Sequence, residues 1–264
     1  MKTIVIIPSR YASERLPAKP LAKIAGKTLI ERVYRRTKLA EGIDEVYVAT
    51  DHISIAEEVE LHGGSVIMTS PECPSGTDRV AAAARALELD DDIVINVQGD
   101  EPLIAPEVIT ALATAMRDDP TIQVATPISR LKNPRDLTDP NVVKVVMDAK
   151  RNALYFSRQT IPYIRDLGDD EIDFWMNAFP YFKHIGVYAY RAEVLKQFVT
   201  LGVSRLEQAE RLEQLRLLEA GIPIRCVRVD YESVAVDTPE DIKKVEDLIE
   251  VEGFRKTFVA GSSK

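Results

Sequence analysis

With 264 residues, 45% of them hydrophobic and 29% charged, the chain has material for one large buried core and reads as a single soluble α/β domain with room for an inserted lobe. A net charge of −8 argues against general affinity for nucleic acid. Two cysteines, Cys73 and Cys226, without Cys-x-x-Cys spacing, speak against a disulfide framework or a zinc site and fit a reducing cytoplasm.

The first strand-like run, Thr3–Pro8, holds the consecutive β-branched residues Ile4 to Ile7, too few for a membrane span or an export signal. Such a run suits a central strand of a parallel sheet, which delivers its loop to the carboxyl edge where ligands bind. That loop carries Arg10, Arg15 and Lys19 and is pinned by Pro8, Pro17 and Pro20. Three fixed cations in an acidic body point to a small polyanion such as a triphosphate. The plainer reading is a solvated basic turn.

Alternation continues through a helix near Leu29–Ala40, a strand Glu45–Ala49, a helix Ile53–Leu61, a strand Ser65–Met68, a helix Thr77–Leu87 and a strand Ile93–Val97. This is the pattern of a doubly wound, mostly parallel sheet. Ser75-Gly-Thr-Asp-Arg79 opens the third helix, and its small residues let a flat base approach the backbone. A helix cap at Thr77 is the simpler explanation of the same residues. The strand Ile93–Val97 stops at Gln98-Gly99-Asp100-Glu101. A carboxylate beside a triphosphate is repulsive unless a divalent cation lies between them, so Asp100 reads as a magnesium ligand, with Gly99 permitting close backbone approach. An acidic turn is the alternative.

From about Gln123 to Val199, strands such as Val142–Met147 and Ile185–Tyr190 are joined by irregular Pro-containing segments, which predicts a mixed-sheet lobe inserted at about 123–205. Helix periodicity returns over Leu206–Ala220, closed by Gly221, and a last strand spans Ile224–Val229. Val236-Asp-Thr-Pro-Glu-Asp241 then starts a helix capped by Thr238. Asp237 is either part of that helix start or a second carboxylate completing a metal site with Asp100. The domain is expected over 1–252, with a flexible tail over 253–264. The histidines His52, His62 and His184 lack metal-ligand spacing, and no Ser/His/Asp or Cys/His nucleophile set is apparent.

Taken together and in order, Ile7-Pro-Ser-Arg-Tyr-Ala-Ser-Glu-Arg-Leu-Pro-Ala-Lys-Pro-Leu21, Ser75-Gly-Thr-Asp-Arg79, Gln98-Gly-Asp-Glu-Pro102, Lys183-His-Ile-Gly-Val-Tyr-Ala-Tyr-Arg191, Leu206-Glu-Gln-Ala-Glu-Arg-Leu-Glu-Gln-Leu-Arg216 and Val236-Asp-Thr-Pro-Glu-Asp241 resemble the 3-deoxy-manno-octulosonate (Kdo) cytidylyltransferases, the CMP-Kdo synthetases of lipopolysaccharide assembly. The resemblance covers the chain to about residue 250. It implies a Rossmann-like nucleotidyltransferase fold, a homodimer, CTP and Mg2+. The nucleotide would be held by Arg10, Ser13, Arg15, Lys19, Ser75, Gly76, Thr77, Arg79, Gln98 and Gly99, with the metal on Asp100 and Asp237. An acidic sugar would meet Gln98, Arg158, Arg165, His184, Tyr188, Glu213 and Gln214.

The implied reaction is attack of the sugar's anomeric hydroxyl on the α-phosphorus of CTP, with Arg10, Arg15, Lys19, Asp100 and Asp237 stabilising charge. The first loop alone would also suit a transferase for 8-amino-Kdo or a sialic acid, or a CTP-binding protein without turnover. Three features depart from the family pattern. Ala18 replaces a glycine, which is expected to stiffen the loop or block a positive φ. Asp78 stands for a glutamate. The segment Asp166–Pro180 is longer than the family's connection and adjoins the implied sugar site.

Overall fold

The structure, a computed structural model, describes residues 1–13, 15–168 and 172–261. Its first half runs β1 (Thr3–Ser9), a 3-10 turn (Lys19–Leu21), the hairpin β2 (Lys23–Ile24) and β3 (Lys27–Thr28), α1 (Leu29–Thr37), β4 (Glu45–Thr50), α2 (Ile53–Leu61), β5 (Ser65–Met68), α3 (Gly76–Ala86), β6 (Ile93–Asn96) and α4 (Pro106–Asp118). The second half follows as β7 (Val124–Arg130), α5 (Pro134–Thr138), β8 (Lys144–Met147), β9 (Ala153–Ser157), α6 (Ile172–Ala178), β10 (Phe182–His184), β11 (Tyr188–Arg191), α7 (Ala192–Phe198), α8 (Arg205–Glu210), α9 (Leu215–Glu219), β12 (Ile224–Val229) and α10 (Pro239–Gly261).

Among the described residues one ten-stranded sheet has the order β5-β4-β1-β6-β11-β7-β10-β8-β9, with β12 parallel to β7. Strands β5, β4, β1 and β6 are all parallel, so the α/β, doubly wound expectation holds, and antiparallel strands are inserted beyond β6. Alternate residues of β1 serve opposite faces, as the pleat demands. Val5 and Ile7 enter a core with α1 and α4, while Ile4 and Ile6 enter a second core with α3, α7 and α9.

Two expected elements are divided, each for a visible reason. The strand expected over Ile185–Tyr190 becomes β10 and β11, because β10 pairs between β7 and β8 whereas β11 pairs between β6 and β7. The chain therefore has to cross β7 at Ile185-Gly186-Val187. The helix expected over Leu206–Ala220 stops at Glu210 and restarts at Leu215, with Arg211 left-handed at φ 56° and ψ 46°. Tertiary bonds take the groups at the break. The Glu210 carboxylate accepts from Ser157 Oγ (2.7 Å) and Arg158 N–H (3.0 Å), and its carbonyl accepts from Arg158 Nε (2.7 Å).

The segment Asp166–Pro180 contains α6 and seats Trp175, which donates to the Gly168 carbonyl at 3.1 Å in a small separate core with Leu131, Leu137 and Tyr181. Residues 169–171 of that segment and 262–264 of the expected tail lie outside the described residues.

Candidate active site

The loop after β1 bends back at Ala18, which adopts φ 51° and ψ 35°. The expectation that alanine would block a positive φ fails here: the tertiary structure imposes the left-handed turn and the Cβ bears the strain. That conformation costs an L-residue about 1–2 kcal/mol. Ala18→Gly is therefore expected to stabilise the fold by about 1 kcal/mol after the glycine's extra unfolded-state entropy, seen as a melting midpoint about 3 °C higher. An unchanged or lower midpoint contradicts this.

Three strand exits converge beyond the turn. Lys19 Nζ lies 2.9 Å from Asp100 Oδ2, at the end of β6, and 3.0 Å from Asp237 Oδ1, after β12; Arg15 Nη2 is 3.1 Å from Asp237 Oδ2. The last exit has to travel back from β12, and Glu101 is its anchor. Ser233 Oγ donates to the Glu101 carboxylate at 2.7 Å and Tyr231 Oη at 3.3 Å, while Val236 N–H donates to the Asp100 carbonyl at 2.9 Å. Burial pushes the Glu101 carboxyl up to about 7, against the lowering effect of the Ser233 bond. Asp237 is held in turn by Asp241, whose carboxylate accepts the backbone N–H groups of Asp237 and Thr238 at 3.0 and 2.9 Å. Gly99 is required where the exits of β1 and β6 touch, since a Cβ there would lie 2.7 Å from the Pro8 carbonyl oxygen.

A cavity of about 570 Å³ opens above this cluster, lined by Arg10, Ser13, Arg15, Lys19, Ser75 and Gly76 with the two carboxylates. Arg10 has no ion pair among the described residues, so its charge is free for an anion. Arg79 also lines the cavity, yet its buried guanidinium is committed: Nη2 to Asp51 at 3.1 Å and Nη1 to Thr69 Oγ1 at 2.6 Å. Asp51 also accepts the Tyr11 N–H at 3.1 Å, so Arg79 braces the first loop through Asp51. The α3 cap is Ser75, which accepts from Asp78 N–H, and Thr77 instead donates to Glu213 at 2.8 Å.

A second cavity of about 210 Å³ shares Gly76, Gln98 and Glu213 with the first and continues past Thr77, His184, Tyr188 and Gln214. Burial raises the Glu213 carboxyl and the Tyr188 phenol from their usual ranges. His184 packs against Phe156 and Tyr188, and burial pushes its imidazole down to about 3. The room beside the cationic cavity is thus lined by neutral donors and one carboxylate.

A family model described as cytidylyltransferase matches residues 4–242. The 3-deoxy-manno-octulosonate cytidylyltransferase of Syntrophus aciditrophicus is 47% identical over 249 residues, covering 94% of this chain and 97% of that protein. The chain belongs to the cytidylyltransferase family. An 8-amino-3,8-dideoxy-manno-octulosonate cytidylyltransferase of Shewanella frigidimarina is also 47% identical, over 93% of this chain and 98% of that protein. A solved structure of CMP:2-keto-3-deoxy-manno-octonic acid synthetase complexed with CTP matches with a TM-score of 0.88 at 43% identity, over 96% of this chain and all of that one. A cytidylyltransferase of Leptospira borgpetersenii, 16% identical with a TM-score of 0.60 over 97% of this chain and 96% of that one, shares the fold.

Two residues expected at the sugar side of this cytidylyltransferase lie elsewhere. Arg158 lines neither cavity, because its guanidinium is spent on the carbonyls of Glu210 (2.7 Å), Pro140 (2.9 Å) and Arg211 (3.4 Å). Arg165 and the rest of the described Asp166–Pro180 segment line neither cavity as well. In their place the structure brings in Tyr190 and Arg211. Tyr190 was legible as the same-face neighbour of Tyr188 two residues earlier. Arg211 was not, since the helical pattern runs through it unbroken.

His184 makes the fold sensitive to acid. In the folded cytidylyltransferase it stays neutral down to about pH 3, whereas the unfolded chain takes the proton near 6.5. A depressed folded pKa means its stabilising effect is present above pH 6.5 and lost as the pH falls from there. Between pH 7.5 and 5.5 the wild type is expected to lose about 1.4 kcal/mol more than His184→Asn, measured by urea unfolding. Equal losses contradict the buried neutral ring.

Proposed function

We propose that this cytidylyltransferase transfers the CMP unit of CTP to the anomeric hydroxyl of 3-deoxy-manno-octulosonate, forming CMP-Kdo and releasing pyrophosphate. The observation that supports it best is the junction of the two cavities, where Gly76, Gln98 and Glu213 line both. A triphosphate in the cationic cavity presents its α-phosphorus to a sugar in the neutral one. The names of relatives spanning nearly the whole chain point to the same pair of substrates.

In this reading Arg10, Arg15 and Lys19 hold the phosphates and stabilise charge on the departing pyrophosphate. The α3 start at Ser75-Gly76 takes the base, and Gln98, His184, Tyr188, Glu213 and Gln214 orient the sugar for in-line attack. Magnesium suits Asp100 and Asp237: two carboxylates from different strand exits already bracket one cation, the Lys19 ammonium, and oxygen donors plus substrate phosphates are what this ion selects. When bound it neutralises phosphate charge and makes the coordinated hydroxyl more acidic. A cytoplasmic location fits two free cysteines, and a homodimer fits the apolar surface exposed by Leu154 on the edge strand β9 and by Tyr163. Among the described residues no helix is long and apolar enough to cross a membrane.

The test is pyrophosphate release from CTP and magnesium with Kdo, 8-amino-Kdo and N-acetylneuraminate compared at equal concentration. Highest kcat/KM with Kdo is expected. A preference for the 8-amino sugar, the substrate in the names of several relatives, would replace the acceptor while leaving the transfer intact. CTP binding without release from any sugar would leave a nucleotide-binding protein.

A further inference from the structure

We propose that Arg211 is the cation that binds the carboxylate of the sugar acid, which makes it a specificity-determining residue of this transferase. The inference rests on the sugar-acid reading above and adds a residue to it. A carboxylate leaving water for a cavity needs a fixed, directional cation, and guanidinium is the side chain best shaped for it.

The second cavity has two charged linings, Arg211 and Glu213, and its histidine is held neutral by burial. Glu213 repels a carboxylate, which leaves Arg211. The cations that might compete are already engaged or elsewhere. Lys19 and Arg15 face Asp100 and Asp237, Arg79 faces Asp51, Arg10 lines the phosphate cavity, and Arg158 is saturated by backbone carbonyls. The Arg211 guanidinium has no ion pair and no hydrogen bond among the described residues. Gln214, whose buried Nε2 lacks a hydrogen-bond partner, lines the same cavity and supplies a neighbouring neutral donor.

The backbone at this position points the same way. Arg211 sits at φ 56°, a conformation that arginine adopts poorly and that glycine or asparagine would hold with less strain. The turn is imposed from outside: Arg158 grips the carbonyls of Glu210 and Arg211, while Ser157 and the Arg158 N–H grip the Glu210 carboxylate. A buried framework thus breaks the helix where the break sets this one side chain on the wall of the sugar cavity. Arg158 is then a positioning residue, acting through Arg211.

The experiment uses Arg211→Asn, which removes the charge and tolerates the left-handed backbone, beside Arg211→Lys, which keeps the charge. The Asn variant is expected to raise KM for Kdo about ten- to a hundredfold, with KM for CTP and kcat at saturating sugar unchanged, and the Lys variant to recover most of the loss. The methyl ester of Kdo, used as a competing ligand, separates charge from shape. Wild type should prefer the acid over the ester by about the same factor, and Arg211→Asn should lose that preference. An Asn variant with wild-type KM for Kdo, or one that retains the acid-over-ester preference, overturns the proposal. Wild-type protein that turns over no acidic sugar at all would instead remove the functional reading, and this inference with it.

Discussion

Asp100→Asn is expected to lower kcat about a hundred- to a thousandfold while the protein stays folded. The carboxylate stands at the end of β6, facing Lys19 at 2.9 Å, on the wall of the cavity that receives the phosphates. Asparagine keeps the shape and can still accept from Lys19, but it removes the negative charge that, with Asp237, makes a divalent cation welcome beside a triphosphate. Losing one electrostatic contact made chiefly in the transition state costs about 2.7–4 kcal/mol, which is the stated factor in rate. The fold is spared because its structural tie at this residue is the backbone carbonyl, which accepts from Val236 N–H and is untouched by the substitution. Steady-state pyrophosphate release beside a thermal melt checks both halves. Turnover near the wild-type rate from a variant that melts normally would remove Asp100 from the reaction.

Arg216→Ala is expected to be the most damaging change outside the cavities, costing about 3–5 kcal/mol of stability and about 10 °C of melting midpoint. Arg216 and Glu207 form a buried two-bond pair, Nε to Oε2 at 2.8 Å and Nη2 to Oε1 at 2.6 Å, which ties α9 to α8 across the break at Arg211. The guanidinium also covers the Phe198 ring at 4.4 Å. Truncation leaves the Glu207 carboxylate buried without its cation, and that unmatched charge dominates the loss. Replacing both partners, Arg216→Met with Glu207→Leu, should recover most of it, short of about 1 kcal/mol for the capping box that Glu207 makes with Ser204. A single variant losing under about 1 kcal/mol in urea unfolding would show that the pair is solvated in solution.

What could be read from the chain divides along range of interaction. The apolar runs of β1 and β6 and the punctuation after them are local, so the two strand exits, the cationic loop and Gly99 were legible, and Gly99 has the close approach expected of it. Asp237 was legible only as a choice between a helix start and a ligand. It is in fact at a helix start, and Glu101 decides where that start lies, by anchoring Tyr231 and Ser233 from 130 residues away. No local pattern encodes that anchor. The same holds for Arg158, whose charge suggested a ligand but whose donors close on three carbonyls, and for Arg211, which interrupts a strong helical periodicity because Ser157 and Arg158 capture the turn before it. Ala18 shows the reverse case, a local preference overridden by the turn that must carry Lys19 to the two carboxylates.

The most direct measurement is release of pyrophosphate by the purified chain from CTP and Kdo, with magnesium and then with the metal chelated. Release that requires sugar and metal together, in step with formation of CMP-Kdo, is the result expected of cations and carboxylates gathered around one triphosphate. Release that persists after chelation, or that proceeds as fast without the sugar, would contradict that arrangement.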